Sequence, residues 1–132
     1  MSSDRGDLVA EMRVLRERVV GVTDLAVAAV DGLLIAADTD EEVDSECLAA
    51  LAAAALGLAR RSGQATGKGA LHRTVAHFNH GYVVVQPVGE MGLLTVLGDA
   101  GLDVERLHAE SQAAAERIDR VLTAPDTSPS RT

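Results

Sequence analysis

Apolar residues recur along this chain with distinct periods, and each period predicts an element. Leu8, Met12, Leu15 and Val19 fall at i, i+4, i+7 and i+11, one stripe of a helix. Arg13, Arg16, Glu17 and Arg18 lie largely off that stripe. Asp7 is placed to cap this helix and Gly21 to stop it. The polar residues 1–6 read as a disordered leader. From Leu25 to Val30 no position is polar; Asp31-Gly32, a strong hairpin signal, and the apolar run Leu33 to Ala37 follow. A strand apolar on both faces is covered on both faces. This hairpin is therefore expected inside a sheet sandwiched between two layers.

The next helix is expected from about Asp44 or Ser45 to Arg61 or Ser62, ending at Gly63. Seven alanines, the best helix former, lie between Cys47 and Ala59, and that stretch has no polar face. A helix apolar all round is buried all round, and a domain this small cannot wrap one helix with its own chain alone. Leu48, Leu51, Ala55 and Leu58 form one seam; Ala49, Ala52, Ala53 and Leu56 form a second. One seam is expected on the sheet and the other against a second molecule.

Ala70 to Asn79 alternates as a strand with polar residues on both faces, so it reads as an edge strand. Thr74, Ala76 and Phe78 share one of those faces. Tyr82 to Gln86 is a β-branched strand ended by Pro87, and Leu93 to Leu97 is apolar on both faces. Asp103 is placed to cap a last helix, in which Val104, Leu107, Ser111, Ala114, Ile118 and Val121 follow a 3-4-3-4-3 spacing. Residues 124–132 read as a disordered Pro/Ser/Thr-rich tail. The fold class expected is an α/β (α+β) three-layer α/β/α sandwich with a mainly antiparallel five-stranded sheet.

Composition and charge narrow the function. The chain has 132 residues, one domain's worth, with 47% hydrophobic but only 2% aromatic residues. Its core must be built from Ala, Val and Leu, and burial against a second chain would compensate for those small side chains. The net charge of −8, a single Lys (Lys68) and the near absence of aromatic residues argue against a nucleic-acid binder. A polar N-terminus with no signal-peptide core, and a longest apolar run of 13 residues, point to a cytoplasmic chain without membrane insertion.

The candidate chemistry is sparse. Six carboxylates lie between Asp38 and Glu46, yet the Gly and closing Glu of a calcium loop are missing. An acidic loop running into a helix N-terminus accounts for them. Gly67-Lys68 superficially suggests a phosphate-binding loop, but only three residues separate Gly63 from Gly67, and Gly69 follows the Lys. His72, His77, His80 and His108 have no metal-ligand spacing. Cys47 and the serines lack a nucleophile setting. No catalytic residue, metal site or cofactor is expected.

The order helix-strand-strand-helix-strand-strand-strand-helix resembles the Roadblock family of dynein light-chain-like proteins, and its prokaryotic members above all. Val20-Gly21-Val22 and the hairpin Ala28-Ala29-Val30-Asp31-Gly32-Leu33-Leu34-Ile35-Ala36 match that family's most recognisable stretch. Asn79 to Val85 and Leu93 to Leu97 match its later strands. The resemblance covers residues 7–123, which are taken as the domain.

It implies a non-catalytic homodimer, with a profilin-like or Roadblock-like sandwich, whose third strands and second helices meet. It also implies a small Ras-like GTPase as partner, whose nucleotide state the dimer modulates, and in actinobacterial relatives a sensor-kinase-like protein as well. The interface would run along Leu48, Leu51, Ala52, Ala55 and Leu58, with Arg60 and Arg61 at its rim and Thr74, Ala76 and Phe78 on the third strand. Arg60 or Arg61 could serve as an arginine finger, or both could be solvated arginines complementing the helix dipole. The competing expectation is a small-ligand sensor domain, which would need a roomy pocket with polar groups.

Overall fold

The computed structural model describes residues 2–124. Three helices and five strands follow the expected order: α1 (Ser2–Arg18), β1 (Val22–Ala29), β2 (Leu34–Asp38), α2 (Ser45–Thr66), β3 (Thr74–Phe78), β4 (Gly81–Val88), β5 (Gly92–Gly98) and α3 (Val104–Thr123). All strand pairs are antiparallel, in the order β2-β1-β5-β4-β3. β3 is an edge strand, as its mixed polarity requires, and β1 and β5 lie inside the sheet.

Two layers cover the sheet. α1 and α3 pack on one face with Leu25 and Val27 of β1, Leu94 and Val96 of β5, and Val84 and Val88 of β4. The α1 stripe of Leu8, Met12, Leu15 and Val19 is almost fully buried there, as are Leu107, Ser111, Ala114 and Ile118 of α3. Arg117 of α3 donates to Glu11 of α1 at 2.7 Å, tying the two helices at their rim. α2 alone covers the other face, over Ala28, Val85 and Leu93.

The ends of several elements differ from the expectation. α1 begins at Ser2, so residues 2–6 are helical rather than a leader, and Asp7 lies inside the helix. Among those residues only Gly6 opposes a helix, at about 1 kcal/mol. α2 runs through Gly63 to Gly67, which takes the left-handed conformation (φ 68°) and donates its N–H to Gln64. Lys68 donates to the Gly63 carbonyl at 2.9 Å, completing a glycine-capped end. An interior glycine costs too little to stop a helix that a better cap can close four residues later. Gly67-Lys68 is thus a helix terminus.

Pro87 does not end β4; it pairs in register with Leu93. By that point β4 has run past the start of β3, whose first pair is Thr74 with Val85, so only one ladder is affected. The expected caps Asp44 and Asp103 are in place, accepting from the Cys47 and Arg106 amides. The expected tail, apart from Ala124, lies outside the described residues.

Candidate functional site

α2 lays Ala49, Ala52 and Leu56 on the sheet, all nearly fully buried. Ala52, expected at a partner interface, therefore belongs to the core. The helix must pass close over the β1–β2 turn, where a Cβ on Gly32 would lie 3.4 Å from the Ala50 backbone. The small side chains of Ala50 and Ala53 leave room for this approach. The other seam is turned outward: Leu51 and Leu58 are 64% and 66% exposed, Ala55 is exposed and Leu48 is half-buried. Ala50, Ala54 and Gly57 extend that apolar surface.

β3 continues the surface along the sheet edge. Val83 and Val85 of β4 lie under α2, and Ala76 and Thr74 pair with them. Strand alternation therefore puts Thr74, Ala76 and Phe78 on the α2 face. Thr74 is half-buried; Ala76 is exposed, and Phe78 is 57% exposed. The outer backbone edge of β3 has no strand beside it. Across the hairpin, His77 stacks on Tyr82 with ring centroids 4.2 Å apart, holding the strand's register on the opposite face.

Arg60 is half-buried and Arg61 exposed. Because α2 continues to Thr66, neither lies in its last turn. The dipole argument for them fails, since the effect fades within one turn of the end.

The acidic loop is organised by a residue the sequence pattern gave no reason to select. Asp24 is buried on β1 and accepts the Asp40 amide at 2.8 Å. Arg16 reaches Asp38 from α1, donating to its carbonyl at 2.9 Å and to that of Thr23. Among the described residues no group of three or more His, Cys, Asp or Glu is placed to hold a metal ion. Cys47 is a free, exposed thiol. No helix among the described residues is long and apolar enough to cross a membrane.

A second feature lies on the opposite side of the sheet edge. The segment leading into β3, the end of β4 and α3 enclose a cleft of about 400 Å³, lined by Leu71, Arg73, Gln86, Gly89, Glu116 and Asp119 among others. Its position was not legible from any local motif. Nearby, burial first and the Arg73 charge second hold the His108 pKa below its usual value, against a smaller opposing pull from Glu105.

The Roadblock/LC7 domain model matches residues 8–98. An uncharacterized protein of Methanocaldococcus jannaschii is 36% identical over 108 residues, covering 80% of this chain and 94% of that one. A Roadblock/LC7 domain from Streptomyces avermitilis superposes with a TM-score of 0.82 at 25% identity, over 88% of this chain and 98% of that one. Myxococcus xanthus MglB superposes with a TM-score of 0.81 at 14% identity, over 93% and 94%. The gliding protein MglB of Thermus thermophilus superposes with a TM-score of 0.79 at 15% identity, over 89% and 90%. With its sheet, its three helices and its outward-turned α2, this chain belongs to the Roadblock/LC7 domain family.

Proposed function

We propose that the protein is a non-catalytic homodimer that binds a small Ras-like GTPase in the cytoplasm and modulates its nucleotide state. The outer face of α2 carries the reading. Leu51, Ala55 and Leu58 form an exposed apolar seam on a helix with no charged residue between Cys47 and Ala59. Contiguous apolar surface of this kind marks an interaction site. The open edge of β3 supports self-association in the same region, since an unpaired edge can add a strand from a second copy. Solved neighbours of this fold include gliding-motility MglB proteins, one in a tetrameric arrangement.

The dimer would hold the GTPase on its paired α2 helices and order the GTPase's own switch residues. The Gly67-Lys68 pair that suggested a phosphate cradle closes α2 as a helix cap, which supports a reading in which nucleotide chemistry stays on the partner. No surface feature among the described residues speaks for a sensor-kinase-like partner.

The test is retention of a GTP-binding protein by the tagged protein in extract of its native host, followed by GTP turnover of that partner. Retention in one nucleotide state only is expected, and absence of any GTP-binding partner would overturn the proposal. Arg60→Ala and Arg61→Ala are each expected to change turnover by less than about tenfold. A loss of about a thousandfold, the scale of an arginine finger, would contradict the non-catalytic reading.

A further inference from the structure

The cleft beside β3 holds charges of both signs that do not neutralise each other. Arg73 enters it from the segment before β3; Glu116 and Asp119 enter from α3. None of the three is in an ion pair among the described residues. Arg73 is half-buried, and its Nε is buried without a partner. Asp119 lies against the turn after β4: a Cβ on Gly89 would be 2.4 Å from its Oδ1. This position therefore needs a glycine both for its positive φ of 59° and to leave the carboxylate in place.

The wall between these charges is polar and unsatisfied. Gln86 is 4% exposed on β4; its Nε2 donates to the Ser111 carbonyl at 3.4 Å while its Oε1 has no partner. Behind this wall, and not lining the cleft, the Ser111 Oγ and His108 Nε2 on α3 are also buried and unpartnered. Buried polar atoms are nearly always paired, and a concentration of unpaired ones calls for an explanation. Leu71, Pro87 and Ala115 supply an apolar side to the same cleft.

A ligand that complements Arg73 on one side and Glu116 and Asp119 on the other carries both an anion and a cation, with an apolar part toward Leu71, Pro87 and Ala115. We propose that the cleft binds a free α-amino acid, its carboxylate on Arg73, its ammonium between Glu116 and Asp119, and its side chain toward Leu71, Pro87 and Ala115. A planar, forked guanidinium suits a carboxylate. A volume of about 400 Å³ has room for an amino acid with some water. The site lies off the outer face of α2, so it stands or falls independently of GTPase binding.

The experiment is a titration of the purified full chain with L-leucine, L-serine and L-glutamine, followed by amide NMR. Each amino acid has its N-acetyl and carboxamide derivatives as controls. At least one amino acid is expected to bind at millimolar concentration or below, shifting the Gly89 amide and the Gln86 side-chain amide. Removing either charge from the ligand is expected to weaken binding about tenfold or more, the loss of a charge-assisted hydrogen bond. In Arg73→Gln the difference between acid and carboxamide should vanish; in the Glu116→Gln, Asp119→Asn double variant the difference between amine and N-acetyl should vanish. Arg73→Lys, which keeps the charge and loses the fork, should bind at an intermediate level. Absence of shifts at the cleft with all three amino acids, or equal binding of acid, amide and N-acetyl forms to the wild type, would overturn the proposal.

Discussion

Glutamate at position 51 or 58 is expected to leave the fold intact and abolish self-association. Both leucines are about two-thirds exposed on the single chain, so the substitutions disturb no core contact. In a twofold interface each charge appears twice. An unpaired charge in an apolar contact costs at least about 3 kcal/mol. Two of them raise the dissociation constant by about four orders of magnitude. Leu51→Glu and Leu58→Glu should therefore sediment as single chains with unchanged circular dichroism. Val20→Glu, on the turn after α1 and 77% exposed, should keep the wild-type mass. An oligomer surviving both leucine substitutions would move the interface off α2.

The second large effect lies in the fold. Gly21→Ala is expected to remove about 3 kcal/mol or more of stability. Gly21 has φ 93°, where a side chain is strained. Its Cβ would lie 2.4 Å from the Leu102 Cα and 2.6 Å from the Leu102 amide nitrogen, backbone atoms that no side-chain rotation can clear. Relief by movement would break two bonds that tie the α1–β1 turn to the loop before α3: Asp99 N–H to the Gly21 carbonyl at 2.9 Å, and Asp103 N–H to the Val20 carbonyl at 3.1 Å. Asp103 is also the cap of α3, so the strain would reach that helix. Urea denaturation measures the loss directly. Gly6→Ala, where nothing lies within 4 Å of the added Cβ, should be neutral or stabilising by up to about 1 kcal/mol. Equal stability of Gly21→Ala and wild type would show that this close approach does not constrain the fold.

The periodic elements were legible in the sequence because periodicity reports burial, and burial is what the core enforces. The α1 stripe, the α3 stripe and the hairpin at Asp31-Gly32 stand where their patterns put them. The edge position of β3 followed from polar residues on both faces. α2 was legible only in part. Its sequence carries two comparable apolar seams, and nothing in their spacing says which of them meets the sheet. Ala52 belongs to the seam with Ala49 and Leu56 that meets the sheet, and its second placement, at the partner interface, fails. The end of α2 was expected at Gly63, whereas Gly67 wins over it by offering a complete cap. The cleft was not legible because Arg73, Gln86 and Asp119 come from three separate elements, and no local spacing links them.

The alanine-rich composition reads differently once α2 is in place. Alanines on the inner side, with Gly32, allow the helix to sit low on the sheet; those on the outer side leave Leu51 and Leu58 prominent on a smooth apolar face. The proposed dimer would cover this face with a second copy of the chain.

The mass of the wild-type protein in solution tests that statement most directly. Sedimentation equilibrium at micromolar concentration should give twice the chain mass of 13.7 kDa. A mass of a single chain at that concentration would contradict self-association through α2 and β3, and with it the proposed dimeric platform for a GTPase.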